Sequence, residues 1–143
     1  MQLHDYSKGY MDVLAQLTHV WTVTEESFKK RFLEMKADGN YYIVVMENTS
    51  TGKIVASGTL LLEKKFLRSC GVVGHVEDIV VDKGERGKDF GKYIIDQLKH
   101  LGTTKGCYKL ILDCSEDKIP FYMKCGFEKR EQQMAIYLKK SNL

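Results

Sequence analysis

The residues that could do chemistry gather in a few short stretches. The most suggestive is Lys83-Gly84-Glu85-Arg86-Gly87-Lys88-Asp89-Phe90-Gly91, which follows a valine-rich run and precedes an amphipathic one. A glycine-bearing loop between a strand and a helix N-terminus presents backbone N–H groups that favour an anion, above all a phosphate. Lys83, Arg86, Lys88 and Lys92 add positive charge. The same composition also suits a solvated turn, and the loop taken alone leaves the two readings even. It is not G-x-x-x-x-G-K-[ST], because no Ser or Thr follows the Lys and the Gly87 to Gly91 interval is wrong; nor is it G-x-G-x-x-G. Any phosphate held there belongs to something other than a nucleoside triphosphate or a Rossmann dinucleotide.

Other candidates flank the loop. Glu77 and Asp78 are adjacent in a Val-rich strand. A regular strand sends them to opposite faces, so they are no glycosidase-type carboxylate pair. Charges are seldom buried unpaired, so one of them meets a ligand, or the strand is an edge with solvated acids. Asp113 stands at the carboxyl end of the strand 108–114, where ligands gather in open α/β sheets; it could hold an ammonium or sugar hydroxyls, or simply form a turn. Lys64, Lys65 and Arg68 cluster in Lys64-Lys65-Phe66-Leu67-Arg68, either a phosphate contact or an exposed basic turn. Phe121 and Tyr122 are neighbours on a short helix and point in different directions, one to the core and one to a cleft, unless both are core aromatics. His75 reads as a hydrogen-bonded structural residue rather than a base. Cys114 and Cys125 have no His close in sequence to form a nucleophile pair. Trp21, Tyr41 and Tyr42 read as core or interface.

The elements that must position these groups follow from periodicity. Tyr10, Val13, Leu14 and Leu17 recur on one face of a helix from about 7 to 18. Thr24 is an N-cap with Glu25 and Glu26 in the first turn, and Val23 with Phe28 form a hydrophobic staple; Gly39 ends this second helix. Residues 41–47 and 54–63 form a hairpin around a polar turn at 48–52, and 72–82 form a third strand. Phe90, Tyr93, Ile94, Leu98 and Leu101 give a helical stripe closed near Gly102 or Gly106. A strand over 108–114, a short helix over about 118–124 with Pro120 in its first turn, and a last strand over 127–138 complete an α-α-β-β-β-α-β-α-β order. This is a mixed α/β sheet with helices packed on it.

Composition bounds the rest. The 143 residues fit one domain spanning 1–143. The 22 Lys+Arg against 19 Asp+Glu leave +3, too balanced for a dedicated nucleic-acid binder. No apolar run approaches the ~18 residues of a membrane span, and the N-terminus, with Asp5 and no hydrophobic stretch after a basic start, is no signal peptide. Cysteines at 70, 107, 114 and 125 form no C-x-x-C, so neither zinc nor any other metal is expected, and they read as free thiols in a reducing, cytoplasmic compartment. The terminal Ser141-Asn142-Leu143 faintly resembles the S-K-L peroxisomal address, with Asn in place of the basic residue.

Arg86-Gly87-Lys88-Asp89-Phe90-Gly91 matches most of the [Q/R]-x-x-G-x-[G/A] pyrophosphate loop of the GNAT superfamily of N-acetyltransferases, and the Phe121-Tyr122-x-x-Cys125-Gly126-Phe127 stretch fits the same superfamily. Gly74-His75-Val76-Glu77-Asp78-Ile79-Val80-Val81, Gly106-Cys107-Tyr108-Lys109-Leu110-Ile111-Leu112-Asp113-Cys114 and Leu17-Thr18 narrow the resemblance to eukaryotic members that acetylate D-glucosamine 6-phosphate. It spans about residues 5 to 138. One departure is Asp89, which stands where the motif has a glycine.

The resemblance implies a GNAT fold, a mostly antiparallel mixed sheet with helices on both faces. It implies direct acetyl transfer from acetyl-CoA to the sugar amine in a ternary complex, giving N-acetyl-D-glucosamine 6-phosphate for UDP-N-acetylglucosamine synthesis. Tyr122 would be the general acid near the CoA sulfur, with Glu77 and Asp78 positioning the amine. Coenzyme contacts would come from Glu77, Asp78, Ile79, Glu85, Arg86, Gly87, Lys88, Asp89, Phe90, Gly91, Lys118 and Tyr122. The sugar phosphate would meet Thr18, Lys65, Phe66, Leu67, Arg68, Glu77, Asp78 and Asp113. A homodimer is implied near the last strand, where Tyr137, followed by Lys139 and Lys140, stands in place of the family's Arg. Two alternatives remain: an acetyltransferase for another amine, and a non-catalytic acyl-CoA-binding module.

Overall fold

The structure, a computed structural model, describes residues 1–138. The expectations placed on Lys139, Lys140 and Ser141-Asn142-Leu143 fall outside the described residues. The chain divides into two compact units, Met1–Leu112 and a second beginning at Asp113.

In the first unit, α1 covers Tyr10–Leu14 and α2 covers Glu25–Asp38. The helical stripe expected to Thr18 stops early, and single-turn bonds carry residues 15 to 17, Gln16 N to Val13 O at 3.1 Å and Leu17 N to Leu14 O at 2.9 Å. Thr24 caps α2 by accepting from Ser27 N at 3.2 Å, and Gly39 ends it in the left-handed region at φ 74°. Strands β1 (Tyr41–Asn48), β2 (Lys53–Lys64), β3 (Val72–Val81) and β4 (Cys107–Ile111) form one sheet in that order. The pairs β1–β2 and β2–β3 are antiparallel, and β3–β4 is parallel. The crossover between the parallel strands is α3, Phe90–Thr104.

Two apolar layers cover the sheet. Tyr10, Val13 and Phe28 from the first two helices pack with Ile54 and Val80. On the other side, α3 buries Ile94, Ile95 and Leu98 to 1% exposure or less. Each such side chain contributes roughly 1.5–3 kcal/mol of burial. The close approach of α3 has a specific cause. A Cβ at Gly58 would lie 2.5 Å from Ile94 Cγ2 and 2.6 Å from Ile79 Cδ1. Only a residue without a side chain lets the helix sit this low on β2.

The register of β2 against β3 shifts between Ser57 and Thr59, opposite Asp78 at φ 53°. The alternation expected for Glu77 and Asp78 is therefore interrupted, because β3 carries one residue more than its partner.

In the second unit, α4 spans Ile119–Lys124 with Pro120 in its first turn, and Gly126 follows at φ 91°. The last strand expected over 127–138 is not formed: those residues carry no strand pairing. Met134 is 92% and Leu138 86% exposed. Strand propensity is largely a measure of packing against neighbours, and these side chains are exposed among the described residues. Trp21 and Tyr41, expected as core or interface, are 54% and 38% exposed. Trp21 instead meets the His19 ring edge-on at 5.2 Å.

Gly58→Ala is expected to destabilise by about 1–3 kcal/mol, the usual cost of overpacking. Urea unfolding checks this, with a lower midpoint at unchanged slope as the expected result.

Candidate functional site

The loop between β3 and α3 is anchored at its start. Asp82 N donates to Val55 O at 2.8 Å, and the Asp82 side chain accepts from Gly84 N at 2.8 Å and from Gln16 Nε2 at 2.7 Å. Lys83 N donates back to Gln16 Oε1 at 2.8 Å. These bonds, Gln16 first, hold the Asp82 carboxyl below the usual carboxylate range. Gln16 was not singled out by sequence; its signal would have been a polar residue just beyond the apolar stripe of α1.

After Lys83–Glu85, a single 3-10 turn, the chain passes two left-handed residues, Gly87 at φ 81° and Asp89 at φ 58°. Asp is among the few non-glycine residues that tolerate this region. Asp89 is the N-cap of α3, and its carboxylate makes no capping hydrogen bond. The first N–H groups of any helix lack intrahelical acceptors. The loop thus leads into a helix N-terminus that its own cap residue does not close, which fits a diphosphate. Arg86 Nε bonds Val81 O at 3.4 Å, and Lys88 Nζ pairs with Glu85 Oε2 at 2.5 Å.

Beside this loop, β3 separates from β4. Their pairing covers Val72 to His75 against Cys107 to Ile111 and does not reach Glu77, Asp78 or Ile79. The ladder stops there because β4 itself ends at Ile111, the partner of His75. Glu77 and Asp78 are both exposed at this point. Although Asp78 as a whole residue is exposed, its carboxyl is partly desolvated, and that raises its pKa. Tyr10, beneath, is raised chiefly by its own burial, with Ser57 opposing and Asp78 and Asp5 adding.

The basic hairpin Lys64 to Arg68 sits at the turn between β2 and β3. Its tip holds three consecutive non-glycine residues in the left-handed region, Arg68, Ser69 and Cys70, at φ 55°, 54° and 60°. Each costs on the order of 1–2 kcal/mol. Phe66 and Leu67 are 96% and 72% exposed. Lys65 pairs with Glu63, whose other oxygen lies 2.7 Å from His75 Nε2. His75 is thus hydrogen-bonded. Glu63 was missed by sequence, although its place two residues before Lys65 puts both on one face of an extended strand. Thr18 is exposed in the connection between α1 and α2.

The second unit carries Asp113, exposed just past β4, which ends at Ile111 rather than Cys114. Lys118, directly before α4, pairs with Asp117 at 2.6 Å. Tyr122 is half-buried, with its ring edge-on to Phe121 at 5.0 Å and to Phe127 at 6.1 Å. Burial, then the neighbouring Cys114 and Cys125, push its phenol up, so it remains a proton donor at neutral pH. Among the described residues no group of three or more His, Cys, Asp or Glu side chains could hold a metal ion.

The family model described as the acetyltransferase (GNAT) family matches residues 8–127. Over 139 residues the chain is 48% identical to glucosamine 6-phosphate N-acetyltransferase 1 of Dictyostelium discoideum, covering 96% of this chain and 88% of that protein. It is 44% identical to the Arabidopsis thaliana glucosamine 6-phosphate N-acetyltransferase over 96% of this chain and 93% of the relative. The crystal structure of the Arabidopsis thaliana enzyme superposes with a TM-score of 0.95, covering 97% of this chain and 95% of that one. A Trypanosoma brucei acetyltransferase structure, 36% identical, gives 0.89 over 96% of each.

The raised Asp78 pKa has a consequence for stability. A carboxyl that binds its proton more tightly when folded costs stability while ionised. That cost is present above the folded-state pKa and fades as pH falls below the unfolded value. Asp78→Asn should therefore raise Tm at neutral pH, and the gain should shrink on titration to about pH 3–4. Thermal melts at both pH values check this; an equal offset at both would contradict it.

Proposed function

The chain belongs to the acetyltransferase (GNAT) family, and on that premise we propose that it transfers the acetyl group of acetyl-CoA to the amine of D-glucosamine 6-phosphate. The observation that carries the reading is the loop from Lys83 to Gly91, which turns through two left-handed residues into an uncapped helix N-terminus beside the parting of β3 and β4. The high identity to glucosamine 6-phosphate N-acetyltransferases supports the choice of acceptor.

In this reading the backbone N–H groups around Gly87, Lys88 and Asp89 and the first turn of α3 hold the coenzyme's diphosphate, with Arg86 and Lys118 adding charge. Acetyl-CoA supplies the activated thioester. Backbone groups at Glu77 to Ile79 orient that thioester and accommodate the charge that develops on its oxygen. Asp78 and Glu77 hold the acceptor amine, and water takes its proton. Tyr122, protonated at neutral pH, donates to the departing sulfur, although the burial that raises its pKa makes it a weaker acid. Lys65, Arg68 and Thr18 receive the sugar phosphate, with Phe66 and Leu67 walling it, and Asp113 holds sugar hydroxyls. The product would feed nucleotide-sugar synthesis.

We also propose a homodimer. Ile136 and Tyr137 are 81% and 77% exposed in a segment that forms no strand among the described residues. A second copy supplies the same sequence in reverse register, which removes an otherwise exposed apolar edge. The four cysteines, none of them in a disulfide, suit a reducing compartment such as the cytoplasm.

A thiol-release assay with acetyl-CoA tests the activity. Glucosamine 6-phosphate should be preferred over glucosamine, and equal kcat/KM on both would overturn the phosphate role. Tyr122→Phe should lower kcat by about 10²-fold with KM for acetyl-CoA within about threefold. Sedimentation should give a dimer that Ile136→Asp converts to monomer; a wild-type monomer at all concentrations would refute the assembly.

A further inference from the structure

One carboxylate at the base of the β2–β3 hairpin serves two partners. One oxygen of Glu63 accepts from Lys65 Nζ, and the other lies 2.7 Å from His75 Nε2. Glu63 is paired across the sheet with Val73, so His75 is its diagonal neighbour on β3. Glu63 therefore ties the two strands together where the hairpin leaves the sheet. The side chains of Glu63, Lys65 and His75 are 41%, 32% and 28% exposed. Pairs this accessible add little to global stability.

What the pair does fix is Lys65. A lysine carries a point charge on a flexible four-carbon stem, and a tether to a strand residue removes most of that freedom. The same residue also closes the tip, because Lys65 N donates to Gly71 O at 2.9 Å across the three left-handed residues. Ammonium position and tip conformation are set at one point. Hydrogen bonds from Lys65 first, then His75, hold the Glu63 carboxyl below the usual range, so the tether persists through neutral pH.

We propose that Glu63 is a positioning residue for a phosphate-bearing substrate: it holds the Lys65 ammonium where the phosphate arrives and acts through Lys65 rather than by touching the substrate. This rests on the assignment of the hairpin to the sugar phosphate made above. An ammonium has three donors. One goes to Glu63, and two remain for phosphate oxygens.

Steady-state kinetics on Glu63→Gln, Lys65→Met and the double variant test this. Glu63→Gln should raise KM for glucosamine 6-phosphate about tenfold, with kcat and KM for acetyl-CoA within about twofold. Lys65→Met should raise the same KM, and adding Glu63→Gln to it should change nothing further. Glu63→Asp, which keeps the charge, should recover part of the loss. An unchanged or lowered KM in Glu63→Gln, or two effects that add independently, would overturn the proposal. A wild type that turns over glucosamine and its 6-phosphate equally would remove the phosphate assignment itself. A strong wild-type preference with an unaltered Glu63→Gln would leave that assignment standing and sink only the role given to Glu63.

Discussion

The seating of α3 on the bare backbone at Gly58 is the contact on which the first unit depends. Ile94 and Leu98 occupy the space a side chain would take, and Ile79 closes it from β3. That seating fixes how far α3 lies from β2 and β3, and so where its N-terminus emerges. It also falls opposite the register shift at Asp78. The missing side chain and the extra strand residue are two halves of one arrangement. The sheet gives up a regular ladder at this point. In return, the irregular stretch of β3 and a helix N-terminus come from adjoining segments of chain.

The charges around these features follow a consistent division. Groups that hold structure are tied and drawn toward ionisation: Asp82 by Gln16 and Gly84, Glu63 by Lys65 and His75. Groups assigned to chemistry are pushed the other way: Asp78 by burial, and Tyr122 by burial with two thiols nearby. The direction follows each group's surroundings: burial also raises Tyr10 and Cys107, and surface hydrogen bonds also lower Asp96 and Asp117.

Much of this was legible in the sequence, for identifiable reasons. The α2 boundaries were readable because Thr24 and Gly39 are local capping signals that need no tertiary contact. The loop was readable because glycine and basic residues between a valine run and an amphipathic run are also local. The register shift at Asp78 was not, because it arises from pairing with a residue twenty positions earlier, and nothing in Glu77-Asp78 announces it. The last strand was misjudged for a related reason. Alternating apolar residues specify a strand only when another strand is present, and Met134 and Ile136 are exposed and in no strand among the described residues. Gln16 and Glu63 escaped notice because each works through a contact across the fold with an otherwise ordinary residue.

If the loop binds a diphosphate as proposed, it does so despite an acid of its own, Asp89. From Lys83 to Gly91 there are three basic and two acidic side chains, which leaves a single net positive charge. Lys88 is already engaged by Glu85. Side-chain charge alone is therefore a weak attraction for a diphosphate. The backbone offers more: N–H groups at a helix start act with the helix dipole, and Asp89, which makes no capping hydrogen bond, leaves those N–H groups unoccupied by its side chain. The left-handed conformation at Asp89 is what turns the chain into that helix start. The backbone direction is retained where glycine would have supplied it, at a modest conformational cost that Asp bears better than most residues. The acid weakens the charge of the loop and leaves its shape intact, and in a site built from main-chain donors shape is the stronger term.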